Sequence, residues 1–216
     1  MRRRAKVPAV KSGLPILQFD DAAAFEVWLV DNPFSAGVWL KLAKQGGQAT
    51  TLRKTEAIDC ALCQGWIDGQ IAIFDDAFFL TRFTPRTAKS RWSAANRARA
   101  QQLMAGGRIG PHGLAAIDAA RADGRWDAAY PSASRAATPE DLQVAINANR
   151  RAAQVFNALD GANRYALLYR LHHAPAGARR AAMITRFVAM LERGETFHGP
   201  GKRRPVKPSG GRVEPD

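Results

Sequence analysis

Trp66-Ile-Asp-Gly-Gln-Ile-Ala-Ile-Phe74, Asp75-Asp76 and Ala77-Phe-Phe-Leu-Thr-Arg-Phe-Thr84 read together as two strands joined by a turn. Branched and aromatic residues fill both runs, and paired aspartates favour a reversal between them. Pro85 ends the second strand. Two registers are open. An even loop sets Phe74 against Ala77 and Asp68 against Phe83. An odd loop sets Gln70 against Arg82 and brings Asp68, Gln70 and Arg82 to one side. A shift of one residue turns every side chain to the other face, so only the odd register builds an Asp68–Arg82 site. Gly69 in mid-strand signals a bulge or a close backbone approach, either of which alters the count.

Upstream of the hairpin, Pro15 to Phe19 reads as a strand. Asp20 or Asp21 caps a helix with Phe25, Trp28 and Leu29 at i, i+3, i+4, and Asp31-Asn-Pro33 stops it. Val38 to Leu42 alternates as a second strand. A helix from Thr50 or Thr51 to about Gln64 turns Ala57, Ile58, Ala61 and Leu62 inward and ends at Gly65.

Downstream, the period becomes helical. Ser93 caps 94–105, which ends at Gly106-Gly107, and Gly110-Pro111 opens 111–122, which ends at Gly124. Residues 125–137 are irregular. Thr138-Pro-Glu-Asp141 supplies a Thr cap, a proline at the first helical position and acids at the positive end of the dipole. Helices over 150–159, 162–173 and 178–193 follow, the last with Met183, Ile184, Phe187, Met190 and Leu191 inward. The fold expected is α+β: a small sheet with a β-hairpin, packed by two helices, then a helical C-terminal half. Its segments are a basic tail over 1–13, an α+β domain over 14–88, a helical domain over 89–198, and a disordered basic tail over 199–216.

The chain has 216 residues and a net charge of +13, from 32 basic and 19 acidic side chains. Residues 1–11 hold five basic residues and no acid, and 199–216 hold five against two acids. Such tails attract phosphate on nucleic acid or lipid, or keep the chain in solution. No apolar run approaches the ~18 residues of a membrane span. Pro8, Lys11, Ser12, Gly13 and Pro15 interrupt the apolar stretch that a secretion signal needs, so a cytoplasmic location is expected.

Two stretches carry a resemblance. One is Ala61-Leu-Cys-Gln-Gly-Trp-Ile-Asp-Gly-Gln70, followed by Arg82-Phe-Thr-Pro-Arg86 and Ser90-Arg-Trp-Ser93. The other runs from Thr138-Pro-Glu-Asp-Leu142 through Asn163-Arg-Tyr165 to Arg179-Arg180 and Phe187-Val-Ala-Met-Leu191. Together they resemble the bacterial YdeI/OmpD-associated family, or bacteriocin-protection proteins, over roughly 14–198, with the OmpD-associated-like part starting near 138. The chain reads Gly177-Ala-Arg179 where the family has Glu-Thr-Arg. The resemblance implies a stress or defence protein associated with tolerance of cationic antimicrobial peptides and with an outer-membrane porin. It implies a periplasmic site, which the interrupted leader opposes, and it brings no catalytic residues.

Cys60 and Cys63 form a C-x-x-C in the last turn of a helix, where the dipole raises a thiol pKa; core packing is the first reading, and redox or metal chemistry the second. Zinc would need two further ligands, and no second C-x-x-C exists. His172 reads as a cap on helix-end carbonyls rather than a base. No cofactor or metal is expected.

Residues 77–117 contain no acid but carry Arg82, Arg86, Lys89, Arg91, Arg97, Arg99, Arg108 and His112. Unbalanced guanidiniums repel one another and suit phosphate or carboxylate, unless Asp68, Asp75 or Asp76 folds back on them. The expected ligand-binding residues are therefore Trp66, Asp68, Arg82, Arg86, Ser90 and Trp92, and the expected partner is an anionic ligand or protein. One alternative is nucleic-acid binding through the tails and helices 94–122. Another is an enzyme with a pocket of Asp68, Arg82, Arg86 and Trp92.

Overall fold

A computed structural model describes residues 9–47 and 49–199. Five strands form one mixed sheet, in the order β1-β2-β3-β5-β4. β1 (Val10–Lys11) and β2 (Leu14–Leu17) make a short hairpin across Ser12-Gly13, whose φ values of 50° and 75° match a two-residue turn of the primed type. The N-terminal tail expected over 1–13 is thus structured from Val10. Its part over 1–8, like the tail beyond Gly199, lies outside the described residues.

α1 (Ala22–Asp31) starts at Asp21, whose carboxylate accepts from the Ala24 amide at 2.8 Å. It carries the chain from β2 to the parallel strand β3 (Val38–Ala43). α2 (Lys54–Cys63) begins later than expected: Arg53 takes the cap position, while the Thr51 hydroxyl accepts from the Ala43 amide at 2.9 Å. That bond ties Thr51 to the end of β3 and removes it from the helix. β4 (Trp66–Ile73) and β5 (Phe78–Pro85) then complete the sheet.

The hairpin contains both registers. Near the turn, Ile73 opposes Phe79 and Ile71 opposes Thr81, the odd-loop pairing. The register shifts across Gly69-Gln70, after which Asp68 opposes Phe83, the even-loop pairing. The bulge signalled by Gly69 therefore puts Asp68 on the Phe83 face. Arg82 opposes Trp39 on the other face. One extra residue separates the two groups that an unbroken odd register would have joined.

α1 and α2 cover the Phe83 face, where Phe25, Leu29, Val38, Leu40, Cys60, Trp66 and Phe83 are buried together. Each large side chain there contributes roughly 1.5–3 kcal/mol by leaving water. α3 (Ala94–Ala105) and α4 (Pro111–Ala122) pack on α2 through Leu62, Cys63, Leu103 and Ile117. Contacts divide the chain after Pro131, so these two helices belong with the sheet, although helical period alone grouped them with the C-terminal half.

The second unit begins at Ser132 and is helical. α5 (Glu140–Asn147), α6 (Arg150–Ala158), α7 (Gly161–His172) and α8 (Ala178–Glu192) enclose Leu142, Ile146, Phe156, Leu167, Leu171, Phe187 and Leu191. Pro139, not Thr138, takes the α5 cap position, and no side chain caps it. Beside His172, the ring Nδ1 of His173 lies 2.7 Å from the Tyr169 carbonyl oxygen. Among the described residues, no helix is long and apolar enough to cross a membrane.

Candidate functional site

β5 ends at Pro85, and the next residue stays attached to the sheet: the Arg86 amide donates to the Gly65 carbonyl at 2.9 Å. This bond fixes Arg86 beside the start of β4. The guanidinium stacks 3.5 Å from the centre of the Trp92 ring. Trp92 is buried and packs edge-on against Trp126 at 4.8 Å. Nη1 of Arg86 donates to the Arg91 carbonyl at 3.2 Å. Its Nε and Nη2 are buried without a hydrogen-bond partner. Burial pushes the Arg86 pKa down to about 10; Asp68 and then Tyr130 oppose the drop, and Arg125 adds to it. The group still carries its charge at neutral pH.

Arg86 lines a cleft of about 390 Å³ in the N-terminal unit. Trp66, Gln64 and Pro85 form the sheet-side wall, and His112, Ala115 and Ala119 of α4 form the other. α4 comes close because Gly113 has no side chain: a Cβ there would lie 2.4 Å from the Cys63 carbonyl oxygen. The Gly110 amide donates to that same oxygen at 2.9 Å.

The second cation of the cleft is already neutralised. Arg125 Nε donates to both Asp123 carboxylate oxygens, at 2.7 and 2.9 Å. Its Nη1 donates to the Ser90 carbonyl at 2.8 Å, and the Ser90 hydroxyl accepts from the Thr87 amide at 2.9 Å. Arg125 therefore braces the 87–90 loop. This contact is hard to find in the sequence, because Asp123-Gly-Arg125 reads only as a helix end.

Of the six expected residues, Trp66 and Arg86 line the cleft, Trp92 supports Arg86, and Ser90 helps to hold the bordering loop. Asp68 is partnered instead by Lys54 at 3.6 Å. Arg82 stands on the Trp39 face with its Nε buried and unpartnered. Asp68, Arg82, Arg86 and Trp92 therefore do not share one pocket. Of the other cations in 77–117, Arg99 pairs with Asp59, and Arg97 donates to the Trp126 carbonyl at 3.1 Å. Asp75 is used by its own turn, accepting from the amides of Ala77 and Phe78 at 2.8 and 2.7 Å.

The cysteines are buried and free. Burial, with a lesser push from Glu26, raises the Cys60 thiol to about 12, and burial raises Cys63 as well. Both thiols are protonated at neutral pH and are held as core atoms. No group of three or more His, Cys, Asp or Glu suited to a metal occurs among the described residues.

In the C-terminal unit, the residues that carried the resemblance hold elements together. Arg180 makes a two-pronged ion pair with Asp141, at 2.5 and 3.0 Å, and donates to the Leu171 carbonyl at 2.7 Å, joining α8 to α5 and to the end of α7. Buried Asn163 accepts from the His198 amide at 2.8 Å and donates to the His198 carbonyl at 3.2 Å.

These features define a two-unit α+β protein whose N-terminal unit carries an arginine–tryptophan cleft. Residues 135–194 match the family model described as bacteriocin-protection, YdeI or OmpD-associated. Residues 17–116 match a domain of unknown function, DUF8412. The Gly65-Trp-Ile-Asp-Gly69 and Arg82-Phe-Thr-Pro-Arg86 stretches fall within this second match, outside the first. No curated protein and no solved structure gives a significant match.

Proposed function

We propose that this YdeI/OmpD-associated protein acts by binding, and that the cleft at Arg86 takes a small anionic ligand of the carboxylate or phosphate class. The observation that carries this reading is the state of the Arg86 guanidinium. It is charged and largely desolvated, and no carboxylate is hydrogen-bonded to it. Asp123, the carboxylate in the cleft wall, is committed to Arg125. Buried charges without a counter-ion are costly, and a stack on Trp92 plus one carbonyl offsets the cost only in part. An anion in the cleft acts first through its charge. It reaches the shielded Nε and Nη2 with a side-chain adjustment.

Charge also bears on how such a protein would serve in defence. A chain of net charge +13 does not attract a cationic peptide, so sequestering the peptide is disfavoured. Protection then runs through an anionic ligand or partner. The reading of α3 and α4 as a base-reading pair has less support. Ala115, Ala116 and Ala119 line the cleft and offer base edges no hydrogen-bonding group.

Isothermal titration of the full chain with inorganic phosphate, succinate and acetate tests the reading. At least one is expected to bind, more weakly as salt rises, with a loss of about tenfold or more in Arg86→Gln. Flat traces for all three, or binding unchanged in Arg86→Gln, would overturn it.

A further inference from the structure

The C-terminal unit holds a second recess, of different character. α8 places Met183, Phe187 and Met190 at i, i+4 and i+7 along one wall of a groove of about 430 Å³. Phe197 closes the groove. It meets Phe187 edge-on at 5.8 Å and 88°, and the Arg170 guanidinium lies 3.9 Å from its ring centre. The paired bonds between Asn163 and the His198 backbone hold the segment that carries Phe197 in place. The apolar floor is thus preformed.

The rim is cationic. Arg193 is balanced by Glu195, with bonds of 2.8 and 2.9 Å. Arg170 donates only to the Ala166 carbonyl, at 2.8 Å, and among the described residues neither it nor Arg186 is paired with a carboxylate. Two exposed guanidiniums without counter-ions therefore flank a floor of thioethers and aromatic rings. Methionines adapt to flexible apolar chains, and guanidinium pairs suit a carboxylate.

We propose that this groove binds a free long-chain carboxylate, its acyl chain on Met183, Phe187, Met190 and Phe197 and its head between Arg170 and Arg186. Other occupants meet the wrong charge. The chain beyond Gly199 continues with Lys202, Arg203 and Arg204, like in sign to the rim, and a second copy would bring the same guanidiniums to face their own kind.

Calorimetry on the full chain, with dodecanoate below its micelle concentration and in about 0.15 M salt, reads this out. In Arg86→Gln, which lacks the other carboxylate site, one dodecanoate is expected per chain. Butyrate, which lacks the tail, and dodecyltrimethylammonium, which reverses the charge, should each bind at least about tenfold more weakly. The double variant Arg170→Gln/Arg186→Gln should lose about tenfold or more, and dodecanoate should still bind in Arg86→Gln, where the carboxylate cleft of the other unit is disabled, which keeps the two sites apart. Arg186→Glu, at an exposed position, serves where the double variant unfolds. Absence of dodecanoate binding, equal binding of the cationic amphiphile, or undiminished binding by the Arg170 and Arg186 variants would overturn the proposal.

Discussion

Arg86, just past the end of β5 in the N-terminal unit, and Arg180, in the first turn of α8 in the C-terminal unit, both lean on backbone carbonyls, yet they meet opposite surroundings. Arg180 has a two-pronged carboxylate, Asp141, and the Leu171 carbonyl, and its hydrogen bond to Asp141 raises its pKa. Arg86 has one carbonyl and an indole face, and burial lowers its pKa to about 10. A guanidinium whose donors are met within the fold serves the fold. One left with unmet donors beside a cleft has capacity to spare for a ligand. The contrast also separates the two matched regions: the conspicuous arginine of the region that matches the YdeI/OmpD-associated model is a brace, and Arg86 lies in the other matched region.

The largest expected effect removes the cleft without touching Arg86. In Gly113→Ala the new Cβ must push against the Cys63 backbone, since it would lie 2.4 Å from that carbonyl oxygen. Neither a helix backbone nor its capping carbonyl yields easily, so a loss of roughly 3 kcal/mol is expected in chemical unfolding of the N-terminal unit. An unchanged unfolding midpoint would mean that α4 stands free of α2 and that the cleft wall is not fixed. Next comes Arg180→Ala, which takes the side-chain donor from the Leu171 carbonyl, leaving it the Ala174 amide, and unpairs Asp141; a cost of about 1–2 kcal/mol to the C-terminal unit is expected.

Arg86→Met should move stability the other way, or not at all. Replacing a desolvated, unpaired charge with an apolar chain of similar length is neutral to stabilising, here by up to about 1–2 kcal/mol, while anion binding is lost. Thermal unfolding and titration on the same sample separate the two effects. If Arg86→Met unfolds as easily as Arg180→Ala, Arg86 is a second brace and the comparison fails.

Much of this contrast is visible in the residues themselves. The acid-free stretch with Arg86, Trp92 and Ser90 marks the right neighbourhood, because charge imbalance is a property of composition and survives folding. The Asp68–Arg82 pairing could not be settled, because one bulged residue at Gly69-Gln70 decides it, and strand patterns alone do not place a bulge. Arg125 and Asp123 escaped notice because their role needs α4 brought against α2, a contact made through the bare backbone of Gly113 and therefore without a side-chain signature. The domain boundary near 88 failed to match the division after Pro131 for the same reason: helical period says that α3 and α4 are helices, not what they pack on. In the C-terminal unit, the cap at Pro139 differs from expectation by a single residue, the usual slack at helix ends.

The smallest effect is also the most direct readout of the brace. The hydrogen bonds from Arg180 hold the Asp141 carboxyl below its ordinary value. A carboxyl depressed in the folded state stabilises the fold above its unfolded pKa, near 3.9, and that contribution fades as pH falls through the lowered folded value. Because Asp141 is substantially exposed, solvent screening keeps the contribution below about 1 kcal/mol. The titration itself should still be clear by carbon-detected NMR of the side-chain carboxyl. In the parent, Asp141 should titrate below the common aspartate range; in Arg180→Ala it should return to that range; in Arg86→Met it should not move. A normal Asp141 titration in the parent would show that the two-pronged pair is not held in solution, and Arg180 would then join Arg86 as a guanidinium open to an outside anion.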